Sequence, residues 1–276
     1  MTQRTIERTW PRLQVNHLAS GSPILLGLLP YLRRMRIAHL LPVLTVLGQM
    51  ALAQSPALIT WQDTGRARSI PVAIHQPVGT TVGAPIVVFS HGYGENQSGS
   101  YLAYGYLLEA LAEAGWFVLS IQHELPTDPP LDFNGPARVV RMPNWERGAT
   151  NIRFALQELQ RVHPELDHGR ISLLGHSNGG DMSVLFGHQH PDLIQKVITL
   201  DHRRMPILRA NKPRSYTLRS SDQPADPEVL PTGVEAEQFG IRVILLKDTP
   251  HNSMDSDADP RQREEIIGHV LRFLHE

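Results

Sequence analysis

The chain of 276 residues contains no cysteine. Disulfides, thiolate metal sites and a cysteine nucleophile are excluded together, while the redox compartment is left undecided. Charge of one sign is also lacking. Lys and Arg number 26 and Asp and Glu 27, for a net charge of -1, and no long run of either sign occurs. Aromatic residues make up only 6% and are not interleaved with a basic stripe, so no nucleic-acid partner is expected. Internal repeats and low-complexity tracts are absent as well.

A long apolar run is missing too, and the short one present is informative. Arg33, Arg34 and Arg36 precede an apolar stretch from Ile37 to Leu47, followed by Gln49, Met50 and Ala51-Leu52-Ala53. The stretch carries His39 and Pro42 and is too short to span a bilayer. A basic segment, about ten apolar residues and an A-x-A end are the parts of a secretory signal peptide. The succession predicts cleavage after Ala53 and a secreted or periplasmic protein with no stable membrane anchor after processing. Met35 stands where a start residue belongs, so residues 1–34 fit poorly ahead of the signal. A second apolar run, Ile24 to Leu32, offers a double anchor as the alternative.

With 41% hydrophobic residues, the remainder can bury one sizeable core. Ser69–His75 alternates and is rich in β-branched residues. Pro85–Ser90, Trp116–Ile121, Arg170–Leu174, Lys196–Leu200, Ser215–Arg219 and Arg242–Leu246 read as further strands. Continuous apolar runs such as Pro85–Ser90 mark strands covered on both faces. Helical stripes lie between them: Tyr104, Leu107, Leu108, Leu111; Ile152, Ala155, Leu156, Leu159; and Ile267, Val270, Leu271, Leu274. The alternation predicts an α/β fold, a mostly parallel central sheet with helices on both faces. Glu124–Trp145, with five prolines, reads as a functional loop, and Phe133 and Trp145 as apolar pocket walls. His202–Arg214 is too short for a large cap domain.

Three motifs carry chemistry. In Arg170–Gly180, RISLLGHSNGG, a buried strand enters Gly175-His176-Ser177-Asn178-Gly179 and an amphipathic segment follows. G-x-S-x-G between strand and helix is a tight turn that lifts a serine hydroxyl clear of the backbone, making Ser177 a candidate nucleophile. Phe89-Ser90-His91-Gly92-Tyr93-Gly94 ends another buried strand. Its loop would supply the Tyr93 N–H as one oxyanion donor, with the Asn178 N–H as the other. His251, in DTPHNS after the last strand, is the candidate general base. Three aspartates compete to orient it: Asp201 at the end of ITLD, and Asp222 and Asp226 after the next strand. Asp201 falls at a strand end, where a side chain has least freedom.

The other histidines suggest no metal. His188 and His190 lack a carboxylate at matching spacing, and His123-Glu124 lacks the second His of a zincin motif. His176 and His202 flank the presumed site as supporting or surface groups.

The segments VVFSHGYGENQSG, LLGHSNGG, ITLDHRRMP and DTPHNS resemble the plasma-type platelet-activating-factor acetylhydrolase branch of the α/β-hydrolases, and equally the dienelactone-hydrolase-like esterases of bacteria. The resemblance runs from about residue 69 to the end. It implies an α/β-hydrolase fold and places the acid after the sixth strand, at Asp201. The cysteine nucleophile of true dienelactone hydrolases is absent, and nothing matches the lipid-binding helices of the plasma enzyme. The chain thus divides into an N-terminal extension with signal peptide, residues 1–53, and a single α/β-hydrolase domain, residues 54–276. The expected activity is hydrolysis of carboxylic esters, short-chain or lipid-derived, through an acyl-enzyme on Ser177, Asp201 and His251, without metal or cofactor. The rivals are an acyltransferase or peptidase on the same residues, or an inactive binding protein.

Overall fold

The computed structural model describes residues 55–276. The predicted signal segment through Ala53, and the alternatives built on Met35 and Ile24–Leu32, lie outside the described residues. An eight-stranded sheet organises the remainder. In chain order its strands are β1 Ala57–Asp63, β2 Arg68–His75, β3 Pro85–Ser90, β4 Phe117–Ile121, β5 Asp167–His176, β6 Lys196–Leu200, β7 Arg214–Arg219 and β8 Arg242–Leu245. Across the sheet they run β1-β2-β4-β3-β5-β6-β7-β8. β1 and β2 are antiparallel to their neighbours, and the other strands pair in parallel. The mostly parallel α/β sheet expected from the sequence is therefore present, and among the described residues no large cap covers it.

Successive side chains of a strand point to opposite faces. A parallel strand buried on both sides is therefore largely apolar, which is why β3, β4 and β6 read as mostly apolar runs, interrupted only by Ser90, Ser120, Lys196 and Thr199. Ile86 and Val88 join one core with Leu173, Trp145, Ile152 and Phe186. Val87 and Phe89 join the other with Leu107, Leu111, Val270 and Phe273. Helices α1 (Gly105–Glu113) and α6 (Pro260–His275) cover the second face. Helices α3 (Met142–Val162) and α4 (Ser177–Gln189) cover the first. The short α2 (Ala137–Val140) and α5 (Gly233–Phe239) lie in connections.

Four details depart from the sequence expectation. β1 was not foreseen, because as an edge strand it exposes most of its residues and shows no buried run. β5 is longer than Arg170–Leu174 at both ends. The buried line on α6 is Ile266, Val270, Phe273 and Leu274, with Ile267 and Leu271 only partly covered, so the helix is rotated by about one residue. Glu124–Trp145 is not one loop either. The chain becomes helical at Ala137, and Pro143 sits in the first turn of α3, where its missing N–H costs nothing.

Strand order reverses about β3, whose neighbours β4 and β5 lie on opposite sides. Connections leaving β3 and β5 diverge to opposite faces and open a crevice at the strands' C-terminal ends, the usual place for a ligand in an open α/β sheet. Both glycine-rich motifs end there.

Candidate active site

Ser177 is the first residue of α4, directly after β5. Its φ is +51°, a left-handed conformation that costs a side chain-bearing residue roughly 1–3 kcal/mol. The strain is held by two glycines. A Cβ on Gly175 would overlap the carbonyl of Gly179, and one on Gly179 would overlap the carbonyl oxygens of Ser90 and His91. Strand end, helix start and the loop after β3 therefore close on each other only without side chains at these positions.

A line of hydrogen bonds starts at this serine. Ser177 Oγ lies 2.9 Å from His251 Nε2, and His251 Nδ1 lies 2.5 Å from Asp201 Oδ2. An ionised carboxylate can only accept, so Nδ1 carries the proton and Nε2 is left to accept from the serine hydroxyl. Asp201 follows β6 with a φ of +52° and is fully buried. The Ser220 N–H donates to its Oδ1 at 3.0 Å and the Ser220 hydroxyl to Oδ2 at 2.8 Å. The Arg219 guanidinium stands 2.7 Å from Oδ1. Burial alone would raise the Asp201 pKa. The His251 hydrogen bond, the Arg219 charge and the Ser220 donors outweigh it and hold the carboxyl at about 2.

The other two aspartates are placed elsewhere. Asp222 Oδ1 accepts the backbone N–H of His251 at 2.7 Å and so steers the loop, not the ring. Asp226 pairs with Arg204. The salt bridge to Asp201 comes from Arg219, not from its chain neighbours Arg203 and Arg204. Pairing of Leu200 with Leu218 in the β6–β7 ladder sets Arg219 beside Asp201, a proximity that only the sheet register creates.

Tyr93, in the loop after β3, borders the cleft at Ser177, and Asn178 follows Ser177 at the start of α4. Among the described residues, neither backbone N–H has a hydrogen-bond partner. Asn178 lies in the first turn of α4, where N–H groups point out of the helix and its dipole favours negative charge. A cleft of about 420 Å³ opens beside them, bordered by Tyr93, Tyr104, His176, Ser177, His251 and Asp255.

Residues 84–200 match a family model described as serine aminopeptidase, S33. Among solved structures, a dienelactone hydrolase from Anabaena variabilis is 16% identical with a TM-score of 0.55, over 80% of this chain and 99% of that one. A fungal esterase from Rhizomucor miehei is 15% identical with a TM-score of 0.62, over 82% and 84%. A thermophilic esterase from Thermogutta terrifontis, solved with propionate bound, is 13% identical with a TM-score of 0.58, over 80% and 93%. No curated protein sequence matches the chain. The chain is an α/β-hydrolase by fold.

Several features of this site were not legible beforehand. His176 is a buried group, not a surface one. Its Nδ1 accepts from the Tyr104 hydroxyl at 2.7 Å, its Nε2 is 3.2 Å from the His251 carbonyl, and its ring lies 4.8 Å from that of His251. Burial, then the neighbouring His251, hold its pKa down to about 3, so it stays neutral. The Tyr104 hydroxyl also accepts the Gly92 N–H at 3.2 Å. His202 is likewise buried, bonded to Thr199 at 2.7 Å. His188 and His190 diverge, the first to the Pro206 carbonyl and the second beside Arg153. No group of three or more His, Asp or Glu side chains among the described residues is placed to hold a metal ion.

The expected pocket walls do not border the cleft. Trp145 is wholly buried in α3, with Nε1 donating to the Asn178 side chain at 2.7 Å. Phe133 is exposed and lines a separate hollow of about 590 Å³ with Pro129, Val140 and Arg147. Glu124, set aside in sequence as half of a missing metal motif, is buried beneath the loop after β3. Burial raises its carboxyl to about 6 despite donors from Gly94, Asn144 and Asn178.

Proposed function

We propose that the protein is a serine hydrolase that cleaves carboxylic esters through an acyl-enzyme. The observation that carries this reading is the unbroken line Ser177–His251–Asp201 at the mouth of the crevice. His251 Nε2 takes the hydroxyl proton as Ser177 Oγ attacks the ester carbonyl. Asp201 keeps Nδ1 protonated and stabilises the imidazolium, and Arg219 keeps Asp201 ionised. The N–H groups of Tyr93 and Asn178 receive the oxyanion, helped by the α4 dipole. His251 then returns its proton to the leaving alkoxide, and water repeats the sequence on the acyl-enzyme. The polar cleft and the exclusion of Trp145 from it suit a small ester better than a long acyl chain.

A peptidase reading is the second to test, because the matching family model is described as an aminopeptidase. The decisive experiment has two parts. A fluorophosphonate probe should label the protein, and Ser177→Ala should abolish labelling and p-nitrophenyl ester turnover with the fold intact. Undiminished labelling of the Ala variant would remove the proposal. A panel of p-nitrophenyl esters of rising chain length, run beside aminoacyl p-nitroanilides, separates esterase from peptidase.

A further inference from the structure

The two oxyanion donors just proposed sit on different elements: the β3–β5 ladder pairs Ser90 with Gly175, but no backbone hydrogen bond joins the loop from His91 to Gly94 with the first turn of α4. We propose that Glu124 is the positioning residue that holds them in register; this rests on the reading of Ser177, Tyr93 and Asn178 given above. Glu124 lies beyond β4, and its carboxylate is buried. Oε2 accepts the N–H of Gly94 at 3.3 Å, one residue past Tyr93. Oε1 accepts from Asn178 Nδ2 at 3.0 Å and from Asn144 Nδ2 at 3.4 Å. One carboxylate thus grips both arms of the oxyanion site from behind.

The Asn178 side chain is fixed on every side. Its amide donates also to Asn144 Oδ1 at 2.8 Å, and its Oδ1 accepts from Trp145 Nε1 at 2.7 Å. The side chain is anchored inward, which leaves its backbone N–H free at the helix start. The anchor itself is held firmly. Gln122 Nε2 donates to the Glu124 carbonyl at 2.7 Å, and Gln122 Oε1 accepts the N–H groups of Gly99 and Tyr101 at 3.1 and 3.4 Å. The Arg68 guanidinium and the Asn151 amide both donate to the intervening His123 carbonyl. Gln122, His123 and Glu124 therefore form a template on which the loop from Gly94 to Tyr101 is laid.

The charge state of the group matters. All three partners of the Glu124 oxygens are donors, so an ionised carboxylate satisfies them all. A glutamine of the same shape can do so with one oxygen only. Its NH2 would face either the Gly94 N–H or the two asparagine amides, donor against donor. Glu124→Gln thus releases one arm at almost constant volume. Asn178→Ala releases the other arm while keeping the backbone N–H.

The test uses p-nitrophenyl acetate turnover and the affinity of phenylboronic acid, whose tetrahedral serine adduct presents an oxyanion. Displacing one donor should lower kcat by about 10- to 100-fold with KM changed less than about threefold, below the cost of deleting a donor outright. Boronate affinity should fall in parallel in both variants. A folded Glu124→Gln or Asn178→Ala with kcat and boronate affinity within about twofold of wild type overturns the proposal. Should Glu124→Gln not fold, Asn178→Ala carries the test, and loss of fold in both would make the network structural and overturn it as well. If Ser177→Ala retains turnover, the fault lies in the reading of the site and not in Glu124.

Discussion

Replacing Asp201 by asparagine tests how the line Ser177–His251–Asp201 works. The Asn amide can keep one oxygen toward Ser220 but presents NH2 to another partner. If NH2 faces His251, the ring turns its protonated nitrogen to Ser177 and can no longer accept. In the serine-protease template this change costs about 10,000-fold, or about 5.4 kcal/mol of barrier at 1.36 kcal/mol per tenfold. The stability cost is separate. The Asp201 carboxyl lies at about 2 against an ordinary 3.8, a difference worth roughly 2–3 kcal/mol. Because the folded value is depressed, this stabilisation is present above pH about 4 and is lost as pH falls through about 2. The substitution also leaves the buried Arg219 guanidinium without its counter-charge, which adds to the loss. The assays are kcat/KM on p-nitrophenyl acetate at neutral pH, and urea unfolding of wild type and variant from pH 7 downward. Expected are a loss of at least a hundredfold in activity, and a stability gap that narrows on acidification below about pH 4. Asp222→Asn keeps the oxygen that accepts the His251 N–H, and Asp226→Asn touches only the Arg204 pair, so both should stay within about tenfold of wild type. If Asp201→Asn is nearly as active as wild type, or either control is the dead variant, the reasoning fails.

Four further outcomes are expected. Gly179→Ala should prevent the elbow from closing, since the added methyl overlaps two backbone carbonyls; soluble, active Gly179→Ala protein would contradict this. Tyr104→Phe leaves the buried His176 Nδ1 and Gly92 N–H without a partner and should lower stability by about 1–3 kcal/mol in urea, with no change at all counting against it. Asp181 is raised by burial to about 6 from 3.8, although it accepts the N–H groups of Met205 and Arg204. Its folded value lies above the unfolded one, so its contribution is full below about pH 4 and lost as pH rises through about 6; relative to wild type, Asp181→Asn should gain up to roughly 3 kcal/mol between pH 4 and pH 8, and a shift of opposite sign would refute it. Export through the N-terminal signal predicts that protein recovered outside the cytosol begins at Gln54, and an intact N-terminus on cytosolic protein would rule the signal out.

By itself the sequence determined the parts of this protein that are local. Mostly apolar runs located β3, β4 and β6, because a strand covered on both faces has no solvent-facing polar side. Period-3.6 stripes located α1 and α3, each packed on one face of the sheet. G-x-S-x-G singled out Ser177, because only that arrangement of glycines lets a strand, a helix start and a neighbouring loop converge. The tertiary structure alone decided what depends on juxtaposition. Which of three aspartates meets the His251 ring was decided by the tertiary structure, where the sheet register also brings Arg219 and Ser220 to Asp201. Trp145 was turned from pocket wall to buried anchor because it lies on the buried side of α3 and not in a loop. Glu124 had no local signature, since its three partners come from Gly94, Asn144 and Asn178, on three separate segments of the chain. Hydrogen bonds between distant segments leave no periodicity in the sequence, and they are what aligns this site.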